Sequence, residues 1–132
     1  EKEKILFSGD TLFSLGCGKV FEGTHKDMFN SLNKLKNLSP DTKIYCGHEY
    51  TKKNYDFCIK YDPENIFLKE KAEFINSKLK GNLPTVPSSL MDELKTNIFL
   101  RCNDKGLKKT LNLKDSSDQE IFTKLRDLKD TF

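Results

Sequence analysis

Two places in this sequence join a short apolar run to a side chain able to hold a cation. Ile5-Leu6-Phe7-Ser8 stops at Gly9-Asp10, and Lys43-Ile44-Tyr45-Cys46 stops at Gly47-His48-Glu49-Tyr50. Both runs have the composition of a buried strand, and an open α/β sheet gathers its chemistry outside its strand tips. Asp10 offers a hard carboxylate and His48 a directional imidazole nitrogen, so the pair could ligate a metal ion. An aspartate after a strand is more often a turn residue, and a lone histidine more often has no metal to hold. Spacing alone leaves both readings open.

The elements that would position these tips follow from periodicity and caps. Thr11 to Lys19, with glycines at 16 and 18, reads as an irregular loop with close backbone approach and no regular element. Thr24 with Asp27 has the form of a capping box, and Met28, Phe29, Leu32, Leu35 and Leu38 then recur at helical spacing up to Ser39-Pro40. Strand, helix, strand predicts a βαβ unit. Beyond Tyr50 no strand is expected. Thr51 to Tyr61 reads as a helix, and Asp62-Pro63 as the N-cap and first position of a longer one whose apolar face is Ile66, Phe67, Phe74, Ile75 and Leu79, closed by Gly81. Pro84-Thr85-Val86-Pro87-Ser88-Ser89 is a rigid connector to a short helix from about Leu90 to Thr96. Ser117 and Glu120 open a terminal helix with Ile121, Phe122, Leu125, Leu128 and Phe132 turned inward. The expected fold class is therefore α/β (α+β), an α/β segment over residues 1–50 followed by an all-α segment over 51–132, the two packed together.

Composition narrows the function classes. The chain has 132 residues, 36% hydrophobic and 33% charged, enough for one ordinary domain or two small lobes. Its 23 basic and 20 acidic side chains are dispersed, without the basic stripe that a phosphate backbone attracts, which argues against nucleic acid. Apolar runs such as Ile98-Phe99-Leu100 fall far short of the roughly 20 residues a bilayer demands, which argues against a membrane segment. Cys17, Cys46, Cys58 and Cys102 form no C-x-x-C pair and no regular framework, pointing to a reducing compartment. Cys17 lacks a neighbouring histidine to activate it and reads as a packing residue, with Cys46 and Cys58 expected buried. Glu1-Lys2-Glu3-Lys4 runs directly into a strand, so the chain is expected to begin in mid-domain.

Longer stretches carry a resemblance. Phe7-Ser8-Gly9-Asp10-Thr11-Leu12-Phe13, then Gly16-Cys17-Gly18-Lys19-Val20-Phe21-Glu22-Gly23-Thr24, resembles the central signature of the glyoxalase II branch of the metallo-β-lactamase superfamily. Tyr45-Cys46-Gly47-His48-Glu49-Tyr50-Thr51 is similar to its second signature. Pro84 to Leu90 and Asn97-Ile98-Phe99-Leu100-Arg101 resemble the helical substrate domain of that branch. These stretches follow in the family's order and cover nearly the whole chain.

The resemblance implies the second half of an αββα sandwich over 1–50 and a helical glutathione-substrate-binding domain over 51–132. It implies a thioesterase that hydrolyses S-2-hydroxyacylglutathione, S-D-lactoylglutathione above all, with hydroxide activated by two divalent metal ions, zinc with iron or manganese as alternatives. Asp10 would bridge the two ions and His48 would ligate one of them. Lys19, Phe21, Tyr50, Arg126 and Lys129 would hold the glutathione tripeptide, Phe21 standing where many members carry tyrosine. The family's His-x-His-x-Asp-His motif has no counterpart in these residues, so they are expected to bind metal poorly and to be inactive alone. The only other histidine, His25, reads as a solvated or capping residue. The exposed face of the Ile5 and Ile44 strands is expected to meet a missing N-terminal half or to self-associate. The cytoplasm is the expected location, an organellar form of the parent remaining open. The competing readings are a non-catalytic glutathione-binding module and a different hydrolase or sulfur dioxygenase of the same superfamily.

Overall fold

The computed structural model describes residues 4–9, 11–18, 24–47 and 50–132. Among them stand six α-helices and two small sheets, a mixed α/β arrangement. Strand β1 (Ile5–Gly9) pairs in parallel with a later strand, β4 (Lys43–Cys46), with Leu6 opposite Ile44 and Phe7 opposite Tyr45. Helix α1 (His25–Lys36) forms the crossover, opened by the predicted capping box: Thr24 Oγ1 accepts from the Asp27 N–H and the Asp27 carboxylate accepts from the Thr24 N–H. The βαβ unit is therefore present.

Burial on this sheet is one-sided. Leu6 and Ile44 face inward, whereas Phe7 on the opposite face is 79% exposed, its ring 5.5 Å from that of Tyr45. The apolar run of β1 is thus covered on one face only: Leu6 packs against the core, while the exposed face carries Ile5 and Phe7.

The stretch expected to be irregular is a tight hairpin, β2 (Leu12–Phe13) against β3 (Gly16–Cys17), closed by Ser14 and Leu15. Leu15 adopts φ 62°, a left-handed conformation unusual for a branched side chain, and side chains distant in sequence hold it there. Glu93 Oε1 accepts from the Leu15 N–H at 2.8 Å, and the Cys58 thiol donates to the Leu15 carbonyl at 3.1 Å. Asn54 Nδ2 donates to the Ser14 carbonyl at 3.1 Å, and Asn97 Nδ2 donates to the Gly16 carbonyl at 3.0 Å. Gly16 is required at its place, since a Cβ there would lie 2.7 Å from Asn54 Nδ2.

The clasping side chains come from the helical region. Helix α2 (Thr51–Tyr61) supplies Asn54 and Cys58, and α4 (Leu90–Thr96) supplies Glu93. Asn97 follows α4 and caps a 3-10 turn, Ile98–Leu100. The long helix α3 (Ile66–Lys80) is capped by Asn65, not by Asp62, because Asp62 pairs instead with Arg101 and accepts from Asn65 Nδ2. Its buried residues are Leu68 and Ile75; Ile66, Phe67, Phe74 and Leu79 are exposed, with Lys71 over the Phe74 ring and Lys95 over that of Phe67. An ammonium over each ring face is a favourable contact for an aromatic side chain on the outer surface.

The connector adds a strand that was not expected, β5 (Ser88–Ser89), antiparallel to β4. It ends in Ser89, the N-cap of α4. A short helix, α5 (Lys105–Thr110), was also not expected. The final helix, α6 (Asp118–Asp130), begins with the predicted Ser117/Glu120 capping box and buries Ile121, Phe122 and Leu125. Phe132 lies largely outside, although its ring is 5.3 Å from that of Phe57. One core joins Leu12, Leu15, Ile44, Phe57, Phe99 and Phe122, so the two segments do pack together.

Glu93 sits at the centre of this core with 0% exposure, also accepting from Ser88 Oγ at 2.9 Å and Asn97 Nδ2 at 3.1 Å. Burial pushes its carboxyl above the ordinary 4.5, although the Leu15, Asn97 and Ser88 donors pull the other way. A raised folded-state value means that the stability contributed by protonation is complete below 4.5 and is lost as pH climbs through the raised value. Glu93→Gln keeps one oxygen to accept from the Leu15 and Asn97 N–H groups, turns the other into an amide that can donate to the Ser88 hydroxyl, and does not titrate, so it should gain stability relative to wild type as pH rises from 4.5 to 8 in paired thermal melts. Parallel Tm profiles would refute this. Glu93→Ala leaves buried donors unpaired and should cost about 3 kcal/mol in denaturant titrations.

Candidate functional site

Asp10, Lys19, Phe21 and His48 lie outside the described residues. Their immediate neighbours do not. The Gly47 N–H donates to the Gly9 carbonyl at 2.7 Å, so the chain positions just before His48 and Asp10 are in contact at the tips of adjacent parallel strands. Gly9 has φ +54°, a turn that glycine makes without strain. Ser8 Oγ donates to the Leu12 carbonyl at 2.7 Å and so couples the tip of β1 to the hairpin.

Tyr50 occupies the N-cap position of α2, half exposed, with its ring 5.2 Å from that of Phe13 in an edge-on arrangement. The hairpin thus orients Tyr50 through Phe13. Lys129, on the last turn of α6, is half-buried with its ammonium 5.8 Å from the centre of the Phe57 ring. Burial, then the positive charges of Arg126 and Lys53, hold its pKa below the usual lysine range.

Arg126 differs from expectation. Expected as a cationic donor to ligand, it is 2% exposed and fully engaged within the protein. Its Nη1 donates to the Cys17 carbonyl at 2.7 Å and the Gly18 carbonyl at 3.2 Å, while Nε and Nη2 reach Asp130 at 3.0 and 2.9 Å. A planar fork suits this double duty, and the guanidinium also lies over the Phe99 ring. Arg126 therefore fixes the backbone that leads into Lys19; a direct bond to ligand would require giving up these partners.

Other candidates resolve simply. His25 is half-buried, not freely solvated: its ring lies 6.5 Å from that of Phe122 on α6, and its Nε2, 3.4 Å from an Asp127 carboxylate oxygen, makes no hydrogen bond among the described residues. Burial pushes the Cys17 thiol up to about 11 and those of Cys58 and Cys102 to about 12, so all three stay protonated and inert. Cys46, expected buried, is only partly so. Among the described residues no three of His, Cys, Asp and Glu cluster as a metal site would require. No helix among them is long and apolar enough to cross a membrane. A groove of about 510 Å³ between α3 and α4, lined by Phe67, Lys71, Phe74, Ser89 and Lys95, shares no residue with the predicted set.

The polar clasp of Glu93, Asn97 and Asn54 was not anticipated. Its signal is readable afterwards: Leu90, Glu93 and Asn97 recur at helical spacing, which puts polar groups on an apolar stripe.

Comparison with known proteins fits this geometry. A family model described as hydroxyacylglutathione hydrolase C-terminus matches residues 49–132. The chain is 55% identical over 98% of its length to a hydroxyacylglutathione hydrolase of Pelagibacter ubique (strain HTCC1062), covering 48% of that protein. It is 50% identical over 99% of its length to one of Bartonella tribocorum, covering 52%, and 48% identical over 98% to one of Brucella anthropi, covering 50%. The chain spans about half the length of the curated relatives it matches.

Arg126→Lys keeps the charge but loses the fork, so it should lower stability by about 1–2 kcal/mol in urea unfolding. A variant as stable as wild type would show that the Cys17 and Gly18 carbonyls do not depend on Arg126.

Proposed function

Because the chain belongs to the hydroxyacylglutathione hydrolase family, we propose that it is the substrate-binding portion of a thioesterase that hydrolyses S-2-hydroxyacylglutathione, S-D-lactoylglutathione above all, to a 2-hydroxy acid and glutathione. The similarity along nearly the whole chain to proteins of that name carries this reading. In it, residues 51–132 form the glutathione-binding helical part. Residues 1–50 form the later part of a metallo-β-lactamase-type sandwich, supported by the parallel β1–β4 pair and the uncovered face bearing Ile5 and Phe7. That face is where the remainder of a longer parent, or failing it a second copy, would pack.

Asp10 and His48 are the donors we assign to a pair of divalent metal ions, zinc with iron or manganese as alternatives. Carboxylate and imidazole suit such ions in kind, and the Gly9–Gly47 contact brings the strand tips together. Two donors fall short in number, so further ligands would come from outside these residues, and these residues alone would not turn over thioester. The chemistry such ions supply when bound is an acidified water and a polarised carbonyl. The chain's own task is placement: Lys19 and Lys129 draw in the carboxylates of the tripeptide, Phe21 and Tyr50 flank it, and Arg126 holds the segment that carries Lys19. The cytoplasm is the location this reading favours.

In the full-length metal-loaded protein, S-D-lactoylglutathione should be hydrolysed with release of thiol, and Asp10→Ala should lower kcat by at least about a hundredfold. Retention of wild-type turnover by Asp10→Ala would remove that residue from the chemistry. No metal-dependent hydrolysis by the wild type would overturn the reading itself.

A further inference from the structure

Several cations that reach into this protein are matched by acids. Arg101 pairs with Asp62 and Asp104, Lys108 with Asp118, and Arg126 with Asp130. Lys129 is half-buried yet has no acidic partner among the described residues; its ammonium rests over the face of Phe57. The charges that weigh most on it are positive, Arg126 first and Lys53 next. Lys53 lies on α2 three residues after Tyr50 and four before Phe57, so the three occupy successive turns of one helix face. Its ammonium is exposed, has no acidic partner among the described residues, and acts on Lys129 with the same sign.

Two like charges held near each other at a partly desolvated place repel, and the arrangement is unfavourable until an anion arrives. Phe57 is wholly buried and anchors both helices beneath them, so the lysine stems spring from rigid supports. Tyr50 borders the same face of α2, one turn before Lys53.

We infer that Lys53, together with Lys129, forms a two-cation seat for a carboxylate of the bound tripeptide thiol, making Lys53 a specificity-determining residue for acyl donors that carry free carboxylates. The inference rests on the proposed thioesterase reading and adds to it a residue on α2. A seat of two ammonium groups fits a single carboxylate, whose two oxygens can each accept from one donor.

The test uses the full-length metal-loaded protein as wild type, Lys53→Met and Lys53→Arg. Two thioesters of the same D-lactoyl group serve as substrates, one of glutathione and one of N-acetylcysteamine, which has no carboxylate. For the glutathione thioester, Lys53→Met should raise KM about three- to fivefold with kcat within about twofold, and Lys53→Arg should restore KM. For the N-acetylcysteamine thioester the variants should match wild type in kcat/KM. Added salt should shrink the difference between wild type and Lys53→Met. An unchanged KM for the glutathione thioester in Lys53→Met, or an equal loss on both substrates, would overturn the inference. Removing an exposed, repelled lysine should leave Tm unchanged or higher, so a lowered Tm also counts against it. If wild type hydrolyses neither thioester, the thioesterase reading fails, and calorimetry with glutathione decides the matter of Lys53: about three- to fivefold weaker binding by Lys53→Met supports the seat, and equal Kd sinks it.

Discussion

A carboxylate enclosed in an apolar core is tolerated only when several donors surround it, and Glu93 has three. Their spread explains the molecule's arrangement. The Leu15 N–H comes from the hairpin, the Ser88 hydroxyl from the connector and the Asn97 amide from the end of α4. Three pieces of chain that share no secondary structure thus meet at one side chain. The hairpin needs this help, because Leu15 in a left-handed conformation offers backbone groups that its own short strands do not pair. Asn54, Cys58 and Arg126 complete the enclosure from two further helices.

Under the proposed reading the enclosure bears on function, because the hairpin lies between the strand tip next to Asp10 and the segment next to Lys19. Its leading end connects through Ser8 to the tip of β1 next to Asp10, and Phe13 packs on Tyr50. Its trailing end, Cys17 and Gly18, is held by Arg126 just before Lys19. Rigid support of this kind is how a binding constellation keeps its geometry when the contacting residues themselves lie at turns and strand tips.

Local signals were legible in the sequence and distant ones were not. The capping boxes at Thr24 and Ser117 involve residues three apart, and α1 and α6 begin where those pairs predict. Asp62-Pro63 has an equally good local form, but Arg101 recruits Asp62 from 39 residues away and Asn65 takes over the cap. The hairpin was missed for the same reason: its support comes from Glu93 and Asn97, about eighty residues on. Helix α5, at six residues, is too short to display a stripe. Of the candidate site, Tyr50 and Lys129 were named through the family's motifs, whereas the inward turn of Arg126 depends on Cys17 and could not be read from α6 alone.

The bond between Arg126 and Cys17 spans 109 positions, nearly the length of the chain. During synthesis the hairpin leaves the ribosome long before α6 exists, so its trailing end at Cys17 and Gly18 lacks its clasp until the last helix has been made and docked. Loss of the final dozen residues would therefore be felt at the other end of the molecule. The segment before Lys19 would slacken although not one of its own residues had changed.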